Sequence, residues 1–372
     1  MHISNHESNL WTDILTVVCV VPRRIVRDEP TLRFKVAACL YALAQEGSIK
    51  VKADVASVGE STLRGWLASF AAAIRSVIKP IYMPGTPFTP ADRAAVQGQF
   101  ASRRGIKVAS LACDGTHIPF HPKNRSVSSD YRNYKGWTSI LAVAFTDSFY
   151  RFFEIDVGYP GRAGDNTVLK HSWLMHKFRE DPDTWLGPGG LVLGDSGASD
   201  GDNVFLNPYH NPTESDKCHY NFCHSSTRFF VEQTFGIWKS RFRFLLSYMR
   251  GANHKLTTEL IHASAILHNY FITHSGDVID TNVDRNSPCW AEFFKTFKAA
   301  LCPECKRRGA VHCVHQAAYR NGVGQTVAGR RAPSAVRETM CEELYRTLLD
   351  DPYGDAMFRV AGDRAVNGMN RE

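Results

Sequence analysis

The sequence predicts a mixed α/β catalytic domain preceded by a small all-α domain of helix-turn-helix type. Three observations carry this expectation. Between residues 31 and 90, apolar residues recur at helical spacing in a strongly basic background. Between 108 and 195, short β-prone apolar runs alternate with turns and a helix, and two of them end on an acid, Asp114 and Asp195. Farther on, a stripe of large apolar residues at steps of four and three marks a helix from Arg228 to Leu245, with Glu232 beside the stripe.

A chain of 372 residues that is 44% hydrophobic can bury a large core and is expected to hold two domains. Ten cysteines in this length do not make a disulfide scaffold, and Cys19, Cys39 and Cys113 sit in apolar runs as small core residues do, which fits a reducing compartment. The apolar run Ile14 to Val21 is too short to span a bilayer and lacks the flanks of a signal peptide, so a soluble intracellular protein is expected, with no membrane partner. The formal charge is +7, and residues 31 to 107 carry eleven Lys or Arg against four Asp or Glu. That excess points to a polyanionic partner.

Residues 1–30 read as an N-terminal arm. From Thr31, the spacing of Val36, Leu40, Leu43 and Ala44 predicts a helix that Gly47 stops; Val51, Val55 and Ala56 mark a second; and Ser61 or Thr62 caps a third. The turn Val58-Gly59-Glu60 between the last two suits a helix-turn-helix, with Leu63, Leu67 and Phe70 inward and Arg64 and Trp66 outward, toward a DNA groove or phosphates. A purely structural three-helix bundle has the same apolar spacing; the basic surroundings favour nucleic acid. Pro80, Pro84, Pro87 and Pro90 then break regular structure and place the domain boundary at residue 90.

A helix over 91–107 leads into a strand that starts at Val108 and ends at Asp114, where Gly115 turns the chain. Tyr131 to Gly136 is a polar loop. Ser139 to Phe145 and Phe149 to Val157 form a hairpin with Asp147-Ser148 at its tip, and Pro160-Gly161 ends it. Asp165 stands where a helix N-cap belongs, with Leu169 and Trp173 behind it, and Pro188-Gly189-Gly190 turns into the strand that ends at Asp195. In the last helix Val231, Phe235, Trp238, Phe242 and Leu245 face the core, while Arg228, Glu232, Lys239 and Arg243 share the neighbouring face, a carboxylate among cations aimed at a phosphate backbone. A surface Glu232 paired with Arg228 is the plain alternative. This is the element order of a ribonuclease H-like domain, over residues 91–270.

The motifs D-G-T-H-I at 114–118, Y-R-N-Y-K-G at 131–136, V-G-Y-P-G followed by Asp165, L-G-D-S-G at 193–197, Y-N at 220–221, H-S-S-T-R at 224–228, V-E-Q-T-F-G at 231–236 and L-H-N at 267–269 stand in order. Together they resemble the PIF/Harbinger transposase family and the nucleases derived from it, over roughly Thr31 to Asn269, with Gly329 to Arg337 similar to the family's closing segment. The resemblance implies a DDE endonuclease acting on duplex DNA at transposon ends in the nucleus, as an oligomer on DNA and with a Myb-like accessory protein. It carries the triad over to Asp114, Asp195 and Glu232, and an additional acid to Asp165. Ala198 replaces the family's usual aromatic and Gln233 its common Arg, so a domesticated DNA-binding protein that no longer cuts is the alternative.

Phosphodiester hydrolysis needs an activated water and neutralised charge on attacking and leaving oxygens, which two divalent ions about 4 Å apart supply. Mg²⁺ or Mn²⁺ takes oxygen ligands, so carboxylates from separate elements are the expected cage: Asp114 bridging both ions, Asp195 holding one and Glu232 the other, with Asp165 either an outer ligand or a plain N-cap. Gly194-Asp195-Ser196-Gly197 also surrounds the nucleophile of trypsin-like proteases, but neither the cysteine usage nor the patterning fits them. In the tail, 271–372, Cys302, Cys305, Cys313 and His315 are candidate zinc ligands with basic residues between them, against the alternative of free surface thiols.

Overall fold

The computed structural model describes residues 30–198, 204–248, 253–274 and 333–350. The N-terminal arm and the zinc candidates Cys302, Cys305, Cys313 and His315 lie outside the described residues, as does most of the tail.

A five-stranded mixed sheet in the order β3-β2-β1-β4-β5 organises the chain. β1 (Ala109–Pro119), β2 (Ser139–Thr146) and β3 (Phe152–Pro160) form an antiparallel meander, and β4 (Leu191–Leu193) and β5 (Phe205–Leu206) add in parallel on the other side of β1. Alternation along the strands gives two apolar faces. One carries Ala112, Ala142, Ala144 and Phe152, whose small central side chains let a helix lie close; the other carries Leu111, Cys113, Val143 and Phe145.

Three helices precede the sheet: α1 (Leu32–Ala44), α2 (Ile49–Val55) and α3 (Glu60–Ala73), the last running through a π turn (Ile74–Ile78) into a final turn (Lys79–Tyr82). Val36 and Leu43 of α1 and Leu63, Leu67 and Phe70 of α3 are buried as the spacing predicts. Two expectations fail here. In α2, Val51 and Val55 are 59% and 60% exposed, and Ile49, Lys52 and Ala53 face inward instead. The Lys52 stem is apolar and its Nζ donates to the Ala42 carbonyl at 2.8 Å, so a lysine completes the buried stripe. The cap of α3 is Gly59, with neither Ser61 nor Thr62 in that role, and Glu60 in the first turn faces the helix dipole. Pro80 lies within the final turn of this helical run, so the break begins only at Met83.

Thr89 caps α4 (Pro90–Arg104), and Gly105, at φ 80°, ends it before β1. The β1 strand does not stop at Asp114: it continues to Pro119, with Gly115 paired to Val143. After β3, the short helices α5 (Asp165–His171), α6 (Trp173–Glu180) and α7 (Pro182–Leu186) cover the second face with Val168, Leu174, Met175 and Phe178. The first face is covered by α8 (Ser215–Arg241) and α9 (His254–His274), and their apolar side chains form one continuous core with those of α1 to α3. Val231, Phe235 and Trp238 are buried on α8; Phe242 and Leu245 stay buried beyond its end, in a short 3₁₀ turn. A last helix, α10 (Pro333–Asp350), packs on α8.

Candidate active site

Asp114 follows Ala112 at a spacing of two, so it points from β1 toward α8, the side where Glu232 stands. Arg228, one helical turn before Glu232, ties the two acids together. Its Nη1 lies 2.9 Å from Asp114 Oδ2 and its Nη2 2.8 Å from Glu232 Oε1. The pairing of Glu232 with Arg228 is therefore real, but it belongs to a half-buried three-charge bridge rather than to a solvated surface.

Gly115 points to the opposite face of the strand, and there Asp165 takes the space. A Cβ on Gly115 would sit 2.3 Å from Asp165 Oδ1. Asp165 is the first residue of α5 and does not cap it: the cap position belongs to Gly164 and no side chain serves it. The Gly115 backbone N–H donates to Asp114 Oδ1 at 2.9 Å and also helps to hold down the pKa of the Asp165 carboxyl packed against it. Gly115 thus answers a close approach and not the turn that the sequence suggested.

Asp195 stands just beyond the end of β4, exposed, with Oδ1 accepting the Gly197 N–H at 2.9 Å. Because β4 lies beside β1, its end is brought next to Asp114. Asn166 Nδ2 donates to the Gly197 carbonyl, fastening the start of α5 to the loop that carries Asp195. Strand, strand end, helix start and helix middle thus bring Asp114, Asp195, Asp165 and Glu232 into one electrostatic neighbourhood.

The charges register this crowding. Burial raises the Asp165 carboxyl to about 6, and the charges of Asp114 and Asp195 push in the same direction. Burial also raises Asp114 and Glu232, with Arg228 pulling both back. The donors are all carboxylate oxygens, the set that a hard divalent cation prefers, and the crowded negative charge is what such an ion would relieve. The residues therefore fit Mg²⁺ or Mn²⁺. Among the described residues, no group of three His, Cys, Asp or Glu side chains is arranged to hold an ion, and the Arg228 guanidinium lies between Asp114 and Glu232.

The cations expected to meet DNA are placed differently from one another. Arg64 pairs with Glu60 at 2.5 Å, and Arg243 pairs with Glu46 at 2.6 Å. Trp66, expected outward, packs edge-on to Phe34 at 6.2 Å, with Lys35 5.8 Å from its ring. Lys239 turns inward, donating to Thr116 Oγ1 at 2.6 Å and to the His117 carbonyl at 3.1 Å; burial, and then Lys135, lower its pKa to about 8. Gln233 accepts from Arg103 Nη1 at 2.9 Å, and Ala198 is buried. The role of Arg228 as a bridge was not foreseen, though its place four residues before Glu232 was the available signal.

Residues 113–269 match a protein-family model described as DDE superfamily endonuclease, and Asp114, Asp165, Asp195 and Glu232 all fall within the match. No curated protein and no solved structure matches the chain.

Proposed function

We propose that the chain is a divalent-metal-dependent DNA endonuclease of transposase type, related to the PIF/Harbinger group, with a ribonuclease H-like catalytic domain at 91–270 and a helix-turn-helix domain at 31–90. The observation that carries this is the match of residues 113–269 to a DDE superfamily endonuclease model, with Arg228 tying Asp114 to Glu232 and Asp165 feeling the charges of Asp114 and Asp195. Asp114, Asp195 and Glu232 would hold the ions, with Asp165, packed against Gly115, as an outer ligand. When bound, two ions supply the charge that activates water and stabilises the leaving oxygen.

The chain's own residues supply the rest. Arg228 keeps Asp114 and Glu232 apart from each other's charge and must yield part of that bridge before both acids serve an ion. Lys239, two turns along the same helix, is committed to Thr116 Oγ1 and the His117 carbonyl and braces β1 beside the acids. Arg64 and Arg243 can exchange their exposed carboxylate partners for phosphates at small cost, since surface ion pairs are weak. The substrate is duplex DNA at transposon ends, cut and then joined by an oligomer in the nucleus, with a Myb-like protein as accessory.

A nicking assay on end-containing duplexes with Mg²⁺ or Mn²⁺ tests the reading. Metal-dependent cutting by the wild type, lost in Asp114→Ala, Asp195→Ala and Glu232→Ala alike, is expected. Binding without cutting under all metals would leave only the domesticated DNA-binding reading.

A further inference from the structure

The turn between β1 and β2 carries a motif that the acid site leaves unused, Tyr131-Arg132-Asn133-Tyr134-Lys135-Gly136. It is a braced structure. The buried Asn133 side chain accepts the N–H of Lys135 at 3.0 Å and of Trp137 at 3.3 Å, and donates to Ser139 Oγ at 3.1 Å. Gly136, at φ 88°, closes the turn, and Arg132 and Thr138 bridge its base.

What this frame holds out is Tyr134, 82% exposed and the most exposed large hydrophobic side chain among the described residues. His117 lies at its foot, with ring centroids 5.7 Å from Tyr134 and 5.9 Å from Trp137. One cation stands over the Tyr134 ring and others lie close in sequence. Lys135 Nζ is 5.4 Å from the Tyr134 centroid, Lys123 and Arg132 are exposed nearby in sequence, and Lys239 holds the strand beneath. Core packing does not require an aromatic in water on a turn this well braced. Aromatic faces interleaved with cations are what a groove for single-stranded nucleic acid is made of.

The direction is set by the two elements that carry the acids. His117 is three residues beyond Asp114 on β1, about 10 Å along a strand, and its side chain lies on the Gly115 face, where Asp165 stands. Lys239 is seven beyond Glu232 on α8, about 10 Å along a helix, and the Lys239 hydrogen bond to Thr116 shows that strand and helix run on together. A DNA strand with its phosphate at the acids and its backbone following this pair arrives at Tyr134. In a duplex, each base is stacked on its neighbours and offers no free face, so the ring needs an unpaired base.

Building on the nuclease reading, we propose that Tyr134, Trp137 and His117, with Lys135, form a stacking platform for unpaired bases of the DNA strand next to the scissile phosphate. The test uses the full-length protein without divalent ion and a labelled duplex carrying a short single-stranded overhang with 2-aminopurine, against the blunt duplex of the same sequence. The overhang duplex is expected to bind about tenfold tighter than the blunt one, with 2-aminopurine fluorescence quenched by stacking. Tyr134→Ala brings the overhang affinity down to the blunt value and abolishes the quench; Tyr134→Phe keeps both. Asp114→Ala retains both as well, which separates the platform from the chemistry. Protein that nicks DNA with Mg²⁺ but shows no overhang preference, or a Tyr134→Ala variant that quenches like wild type, overturns the platform. Overhang preference without nicking under any metal overturns the nuclease reading alone.

Discussion

At the scale of single residues, the site rests on two unusual accommodations: a glycine that admits a carboxylate and an arginine that stands among acids. Any side chain on Gly115 displaces Asp165, because the Cβ would fall 2.3 Å from its Oδ1. Gly115→Ala is therefore expected to leave the strand paired, lower metal-dependent cutting by an order of magnitude or more, and reduce the stabilisation that Mn²⁺ gives; cutting at the wild-type rate would mean that Asp165 serves no ion. Asp165→Asn is expected to be milder than Asp114→Ala, and equal loss in both would make Asp165 a direct ligand. Arg228→Gln removes the charge between Asp114 and Glu232. Without it the two acids repel in the metal-free protein, so melting falls in the absence of ions and rises more steeply with Mn²⁺ than in wild type. A smaller rise than in wild type would show that Arg228 supports the ligands in the bound state instead of standing in for the ion.

At the scale of elements, what the sequence made legible depended on whether one cause dominated each pattern. Asp114 and Asp195 could be read because an apolar β-prone run points a strand at each, and the α8 stripe could be read because Val231, Phe235 and Trp238 have no competing explanation. The α2 stripe was misread since Lys52 buries a charged residue by its stem, and a valine at Val51 or Val55 looks inward when it is not. Gly115 was misread as a turn because its reason, Asp165, is distant in sequence and visible only in three dimensions. β5, with two residues, is too short to carry any periodicity, and the first half of α8 buries polar His219, His224 and Thr227, which no hydrophobic pattern announces. The L-H-N motif shows what such polar residues do. Asn269, on α9, accepts the Phe152 N–H at 2.8 Å, donates to the Phe152 carbonyl at 2.7 Å, and donates to the Tyr82 carbonyl at 2.8 Å. One buried amide thereby closes the edge strand β3 and joins it to the helical run that leaves α3. Asn269→Ala leaves these backbone groups unpaired in the core, at a cost of roughly 2–3 kcal/mol, which is expected to lower the melting temperature by about 5–10 °C. A change within a degree or two would mean that water replaces the amide.

At the scale of the whole molecule, the helical segment and the sheet share one core, so the proposed DNA-binding helices and the acid site belong to a single body among the described residues. Its basic excess leads to an expected steep fall in duplex affinity between low and moderate salt, through release of counterions from the phosphates. Two histidines buried at the centre lower stability in acid. His224 and His268 are fully buried, each with Nε2 on a backbone carbonyl, of Leu206 at 2.7 Å and of Tyr150 at 2.8 Å, and each with an Nδ1 that has no partner among the described residues. Burial lowers their pKa values to about 4 and about 3. The folded values lie below the unfolded value of about 6.5, so as pH falls below 6.5 the unfolded chain takes up protons that the folded chain refuses, and folding stability drops. At pH 5 each histidine contributes a loss of roughly 2 kcal/mol relative to pH 8. The acid site opposes this. Asp165, raised to about 6, binds its proton first in the folded state and returns roughly 1 kcal/mol over the same interval. The two contributions separate in Asp165→Asn, which keeps the histidines and removes the offset. Denaturant titrations at pH 8 and pH 5 are expected to show a larger loss in Asp165→Asn than in wild type, by roughly 1 kcal/mol. Equal losses in the two proteins would place the Asp165 pKa near that of an ordinary carboxylate and remove the electrostatic crowding from the account of the site.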